Sequence, residues 1–212
     1  MKIFIDSADV NEIREAISLG LCDGVTTNPT LIAKTGRKNA DVIAEICALA
    51  GVPVNAETVG ISYAEILAEG AELAAIAENV VVKIPMCKDG LRAVQYFAER
   101  DIKTTVTLVF NVAQALLAAK AGAAYIAPFV GRLDDVSSSG MDMIKEIVEV
   151  YDNYEYETEI IVASVRGPLH VKQAALAGAD AITIPFSLIN TLFAHPLTDA
   201  GIAKFLRDAG HK

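Results

Sequence analysis

Lys83 stands alone among apolar residues in the run Val80-Val81-Val82-Lys83-Ile84-Pro85. A β-branched run of this kind is covered on both faces when it lies in a parallel sheet, and lysine is among the residue types least often fully buried. Enclosure penalises the ammonium, so the run predicts a lysine pKa lowered from about 10.4 toward neutrality and a fraction of free amine able to attack a carbonyl. That is the chemistry of a Schiff-base lysine. The alternative puts Lys83 at a strand end, its head reaching water along an apolar stem.

Imine chemistry has further requirements. Loss of water from a carbinolamine needs a carboxylate that shuttles protons, directly or through a bound water. Glu57 falls one strand before Lys83 and suits that task. Breaking a carbon–carbon bond beside the imine needs a base for the departing aldehyde's hydroxyl, and Asp6 is the other candidate carboxylate. The structural alternatives are an Asp6 that only caps a helix and a Glu57 that only pairs with Lys83. Arg132 and Arg166 follow neighbouring strands, with Ser164 between them in space. A guanidinium donates two hydrogen bonds at once to phosphate oxygens, so this pair points to an anionic substrate. Arg132 could instead pair with Asp134 or Asp135 in a surface loop.

What must position these residues is an alternation of short β-rich runs and longer helical patterns. Strands are expected at 2–6, 23–27, 52–58, 80–85, 103–107, 125–130, 160–165 and 181–185. Helices are expected at 10–18, 39–50, 63–77, 88–99, 111–120, 140–151, 168–177 and 187–193, with an extra C-terminal helix at 198–209. Eight strand–helix units in this length predict a parallel (β/α)8 barrel, ahead of a doubly wound open sheet. Gly20, Gly51, Gly122 and Gly178 stand where helices should end. Asp6-Ser7 and Thr198-Asp199 are candidate helix caps, Pro168 suits a first helical turn, and 152–158 reads as a polar surface loop.

Alternate strand residues point into a barrel, and its chemistry sits at the strands' C-terminal ends. That parity turns Val81, Lys83 and Pro85 inward with Asp6, Thr26, Asn28, Asn55, Glu57, Thr105 and Thr107, followed by Phe129, Arg132, Ser164 and Arg166. A polar residue at the end of nearly every strand describes a built site.

The chain of 212 residues is 53% hydrophobic and only 6% aromatic, which suits an α/β interior of branched aliphatics. No Pro-, Gly- or Ser-rich linker divides it, so a single domain spanning 1–212 is expected. A net charge of -9 argues against unaided binding to nucleic acid or an anionic membrane. Neither a basic-then-apolar leader nor a membrane span is visible, and three scattered cysteines (Cys22, Cys47, Cys87) fit free thiols in a reducing cytoplasm. No role is assigned to His170, His195 or His211.

Several blocks taken together resemble the transaldolase family in its short form, which includes the fructose-6-phosphate aldolases. They are Asp6, Gly24-Val25-Thr26-Thr27-Asn28-Pro29-Thr30, Val82-Lys83-Ile84-Pro85, Thr107-Leu108-Val109-Phe110, Pro128-Phe129-Val130-Gly131-Arg132 and Ala163-Ser164-Val165-Arg166. The resemblance runs from Met1 to about Lys204. It implies that Lys83 forms the Schiff base with the ketose C2 carbonyl and that Asp6 acts on the C4 hydroxyl. Glu57 with Thr107 would hold a proton-relaying water, and Asn28 would bond the dihydroxyacetone hydroxyls, with Thr26 and Thr105 beside it. Arg132, Ser164 and Arg166 would seat the sugar phosphate.

The implied reaction transfers a dihydroxyacetone unit from sedoheptulose 7-phosphate to glyceraldehyde 3-phosphate, in the pentose phosphate pathway. It gives erythrose 4-phosphate and fructose 6-phosphate. No metal or organic cofactor is implied, because the imine is the electron sink. Aldolase members carry Gln at the position of Glu57 and Tyr at that of Phe129, so both markers here favour transfer. Longer transaldolases carry Asn at the position of Thr105 and Ser at that of Ala127. The alternatives are an aldolase acting on free dihydroxyacetone and, more remotely, a silent phosphosugar-binding barrel. The short forms are typically decamers of two pentamers, and an apolar stripe of Ile202, Phe205 and Leu206 is available to cover the barrel or meet a neighbouring subunit.

Overall fold

The computed structural model describes residues 1–210; His211 and the end of the expected 1–212 span lie outside the described residues. Eight parallel strands close into a barrel in chain order, from β1 (Lys2–Asp6), β2 (Gly24–Thr26) and β3 (Val54–Glu57) through β4 (Val80–Pro85) and β5 (Thr104–Val109) to β6 (Tyr125–Pro128), β7 (Glu159–Val162) and β8 (Ala181–Ile184). Each strand is followed by helix. The first are α1 (Val10–Ser18), α2 (Pro29–Lys34), α3 (Asn39–Ala50), α4 (Tyr63–Ala74), α5 (Lys88–Ala98) and α6 (Val112–Lys120). The rest are α7 (Val130–Asp134), α8 (Gly140–Tyr154), α9 (Pro168–Ala177) and α10 (Phe186–Phe193), with α11 (Pro196–Asp208) as the extra C-terminal helix.

The expected parity holds. Val80, Val82 and Ile84 join the large aliphatic layer between strands and helices. Val81 turns inward and packs with Phe4, Tyr125, Ile161 and Ala181. These residues lie toward the strands' N-terminal ends and fill the barrel there, Phe4 meeting Tyr125 edge to face at 6.2 Å. Gly24 makes room for this plug, since a Cβ there would stand 2.5 Å from the Phe4 ring. An apolar floor leaves the C-terminal half of the interior to polar side chains.

Register then fixes who stands beside whom. Glu57 pairs with Lys83 and Lys83 with Thr105 across β3, β4 and β5, while Asp6 is level with Thr26 across β1 and β2. Between Thr107 and Val109 the β5–β6 register slips, and Leu108 at the slip has φ 60°. This bulge turns Val109 into the outer core, where simple alternation would have turned it inward.

Several expectations are corrected. The 125–130 run stops at Pro128 and continues as α7, and Pro29–Lys34, where no element was expected, forms the short helix α2. Residues 152–154 extend α8, and Thr158 is buried with its hydroxyl donating to Ala123 O at 2.7 Å, so 152–158 is not simply a surface loop. Asp9, not Asp6 or Ser7, caps α1, because the Ser7 hydroxyl is engaged with Glu12. His195 caps α11 ahead of Pro196, which displaces Thr198-Asp199 into the helix. Gly20, Gly51, Gly122 and Gly178 all take positive φ after their helices, as the sequence suggests. On α11, Ile202, Phe205 and Leu206 are exposed, so this stripe does not cover the barrel. The three cysteines are free, and Cys87 caps α5, its sulfur accepting from Gly90 N at 3.2 Å.

Candidate active site

At the C-terminal ends of the strands the barrel opens into a cavity of about 440 Å³. Lys83 reaches it from the middle of β4 and is only 5% exposed, which disposes of the strand-end alternative. Its Nζ donates to Thr27 O at 3.0 Å and stands 2.9 Å from Glu57 Oε2. The β3–β4 register makes this pair, since adjacent parallel strands set level residues of like parity side by side. A free amine at this nitrogen would be a nucleophile with a proton acceptor already in contact.

Asp6 enters from the end of β1. Its Oδ1 accepts from Thr26 Oγ at 2.8 Å, and Thr26 Oγ lies 2.6 Å from Thr183 Oγ. An ionised carboxylate only accepts and a hydroxyl has one proton to give, so the chain runs from Thr183 to Thr26 to Asp6. Burial pushes the Asp6 carboxyl up from its ordinary range, while the Thr26 bond and the Lys83 charge oppose that rise. Beside Lys83, Thr105 Oγ donates to Asn55 Oδ1 at 2.5 Å, and Asn55 Nδ2 donates to Val25 O at 3.2 Å. Thr107 Oγ is buried and has no hydrogen-bond partner among the described residues. Asn28 caps α2, its Oδ1 accepting from Leu31 N at 2.9 Å, so its amide NH2 remains the uncommitted end of a cavity-lining residue.

Two arginines line the cavity from beyond the ends of β6 and β7. Phe129 packs edge to face on Phe110 at 5.8 Å, and the Arg132 guanidinium lies 5.1 Å from the Phe129 ring centroid. Arg166 pairs with Asp135 at 2.5 Å; the surface ion pair considered for Arg132 is thus made by the other arginine. Ser164 has φ 60°, a strained conformation for a residue with a Cβ, and strain of this kind clusters where surrounding contacts over-determine a site.

A family model described as Transaldolase/Fructose-6-phosphate aldolase matches residues 3–211. The chain belongs to this family. It is 58% identical over 208 residues to a probable transaldolase of Geotalea daltonii, covering 98% of this chain and 97% of the relative. A probable transaldolase of Leptospira biflexa is 54% identical over 209 residues, covering 99% and 98%. Among solved structures, thiamine phosphate pyrophosphorylase from Pyrococcus furiosus shares the fold alone, with a TM-score of 0.59 at 16% identity over 87% of this chain and 85% of that one.

For this transaldolase-family chain, the residues read from sequence converge. Lys83, Asp6, Thr26, Asn28, Thr105, Phe129, Arg132, Ser164 and Arg166 all line the cavity, whereas Glu57 and Thr107 stand outside its wall. Glu57 touches the cavity through Lys83. Sequence reasoning passed over Thr183, which parity on the 181–185 run would have turned inward with Ala181 and Pro185. It also passed over His170, whose partners lie 4 and 36 residues away along the chain.

Proposed function

We propose that the chain is a transaldolase that moves a dihydroxyacetone unit between phosphorylated sugars through a Schiff base on Lys83. The observation that carries this is the buried Lys83 Nζ, 2.9 Å from Glu57, opening into the same cavity as Asp6, Arg132 and Arg166. The Lys83 nitrogen attacks C2 of sedoheptulose 7-phosphate, and Glu57 accepts the proton that the ammonium must lose. Water leaves the carbinolamine with a proton relayed by Glu57 and by a water shared with the uncommitted Thr107 hydroxyl. Asp6 then takes the C4 hydroxyl proton, the C3–C4 bond breaks, and its electron pair flows into the imine, leaving an enamine. Erythrose 4-phosphate departs. The enamine attacks the aldehyde carbon of glyceraldehyde 3-phosphate, Asp6 returns its proton to the new hydroxyl, and hydrolysis of the imine releases fructose 6-phosphate.

Arg132 and Arg166 supply local positive charge to the substrate phosphate on a chain of net charge -9. The Asn28 amide donates to the dihydroxyacetone hydroxyls, beside Thr26 and Thr105. Phe129 has no acidic proton, so the enamine awaits an acceptor. The three free thiols support a cytoplasmic setting. The exposed apolar residues of α11 support assembly with further copies, as a decamer of two pentamers by resemblance.

Borohydride trapping with fructose 6-phosphate, mass-mapped to the modified residue, tests the reading. Label at Lys83, absent from Lys83→Met, supports it; no label leaves the silent phosphosugar-binding barrel. A fructose-6-phosphate aldolase is the second reading, since the family description covers both activities. Rapid release of dihydroxyacetone without an acceptor would favour it.

A further inference from the structure

We infer that His170 is a positioning residue for the phosphate end of this site, holding the Arg166 backbone in place; the inference rests on the reading of Arg132 and Arg166 as phosphate ligands. The Arg166 backbone N–H donates to His170 Nδ1 at 3.2 Å, and His170 Nε2 lies 2.8 Å from Asp134 Oδ2. Because Nδ1 accepts, the ring proton sits on Nε2 and points at the carboxylate. The other Asp134 oxygen, Oδ1, accepts from Gly140 N at 3.0 Å, which anchors the carboxylate at the start of α8. The His170 side chain is 12% exposed, against 55% for Arg166. An enclosed imidazole therefore ties a solvent-facing arginine to α7, the helix that also carries Arg132.

The segment it holds needs holding. Ser164 sits at φ 60°, and its carbonyl accepts from Gly131 N at 3.1 Å. The approach is so close that a Cβ on Gly131 would lie 2.1 Å from Ser164 O and 2.7 Å from Arg166 Nε. The 164–166 segment thus starts from a strained residue, Ser164, and is pinned by Gly131 at Ser164 O and by His170 at the Arg166 N–H. Without the imidazole, the Arg166 N–H loses its acceptor and Asp134 Oδ2 loses its partner, while Lys83 and Glu57, held by β3 and β4, keep their contacts. The consequence is selective for the phosphate.

The test transfers dihydroxyacetone to glycolaldehyde, an acceptor without phosphate, from either fructose 6-phosphate or fructose. His170→Ala, His170→Asn and His170→Gln are compared with Arg166→Ala. For His170→Ala, KM for fructose 6-phosphate rises about tenfold with kcat held within about twofold, and the preference for fructose 6-phosphate over fructose in kcat/KM falls by the same factor. His170→Asn, whose side-chain oxygen takes the place of Nδ1, recovers most of that preference, and His170→Gln does not. If His170→Ala fails to fold, as its thermal melt would reveal, the order of the Asn and Gln variants decides. Equal losses on both donors, or a fall in kcat alone, would overturn the inference. Arg166→Ala treating the two donors alike would remove the phosphate reading and this inference with it; discrimination lost in Arg166→Ala but kept in His170→Ala would overturn this inference alone.

Discussion

The Lys83–Glu57 pair gives a stability prediction that is independent of turnover. At 2.9 Å the two charges attract by about 6 kcal/mol at an effective dielectric of about 20, and desolvation of each ion opposes this by several kcal/mol. The net worth of the pair is therefore small, but its two halves are not safe alone. Lys83→Met leaves Glu57 with its side chain 14% exposed and no cation in contact, so it should cost about 3 kcal/mol, the low end for breaking a buried pair. For a chain of this size that is a fall of about 6–12 °C in Tm. Glu57→Gln should cost less, because its amide oxygen can still accept from Nζ. The double variant should be more stable than the sum of the single losses by about 2 kcal/mol, since no unpaired charge remains. Thermal unfolding of the four proteins at one protomer concentration measures this cycle. Losses that add to within about 0.5 kcal/mol, or a Lys83→Met protein as stable as its parent, would refute the argument that the pair is electrostatically coupled. Both variants lacking Lys83 should be inactive, and turnover in either would end the Schiff-base mechanism.

Because burial raises the Asp6 carboxyl, the acid limb of kcat/KM should fall above the ordinary carboxylate value of 3.8, and Thr26→Val, which removes the opposing hydrogen bond, should move it higher still. The same shift has a sign for stability. A carboxyl raised by folding favours the fold below its unfolded value and loses that advantage as pH rises through the folded one, so Asp6→Asn should gain stability relative to its parent at about pH 8 but not at about pH 4. Phe129→Tyr adds a phenolic proton against the cavity and should raise the acceptor-free release of dihydroxyacetone from fructose 6-phosphate, read by a coupled reductase assay. Gly131→Ala must push the Ser164 carbonyl back by about 1 Å to restore contact distance, so KM for fructose 6-phosphate should rise at least about tenfold with a smaller change for fructose.

The half of the site proposed to carry the reaction was legible because it depends on local periodicity alone. Each of β3, β4 and β5 is a short run with a clear parity, and consecutive parallel strands lie side by side, so Glu57, Lys83 and Thr105 had to meet once a barrel was assumed. The phosphate end depends on features with no such period. α7 hides behind the apolar Phe129-Val130, which extends the preceding strand on paper, and a helix of five residues is too short to show a face of its own. The turn that ends α7 presents Asp135 to Arg166, so the ion pair weighed as an alternative for Arg132 forms at the other arginine. α2 did carry its signal, an Asn28 cap followed by Pro29 at the first turn, but the same dipeptide reads equally well as a turn. His170 offers only a weak local clue, its position four residues after Arg166. Its contact with Asp134 spans 36 residues and exists only because α9 returns beside α7 at the rim of the barrel. On the proposed reading the chemistry sits on strands, whose register the sequence states, and the selectivity on loops and short helices, whose closure only the fold supplies. Substitutions that retune the phosphate preference should accordingly concentrate at positions such as Gly131 and His170, while those that stop the reaction fall on strand ends.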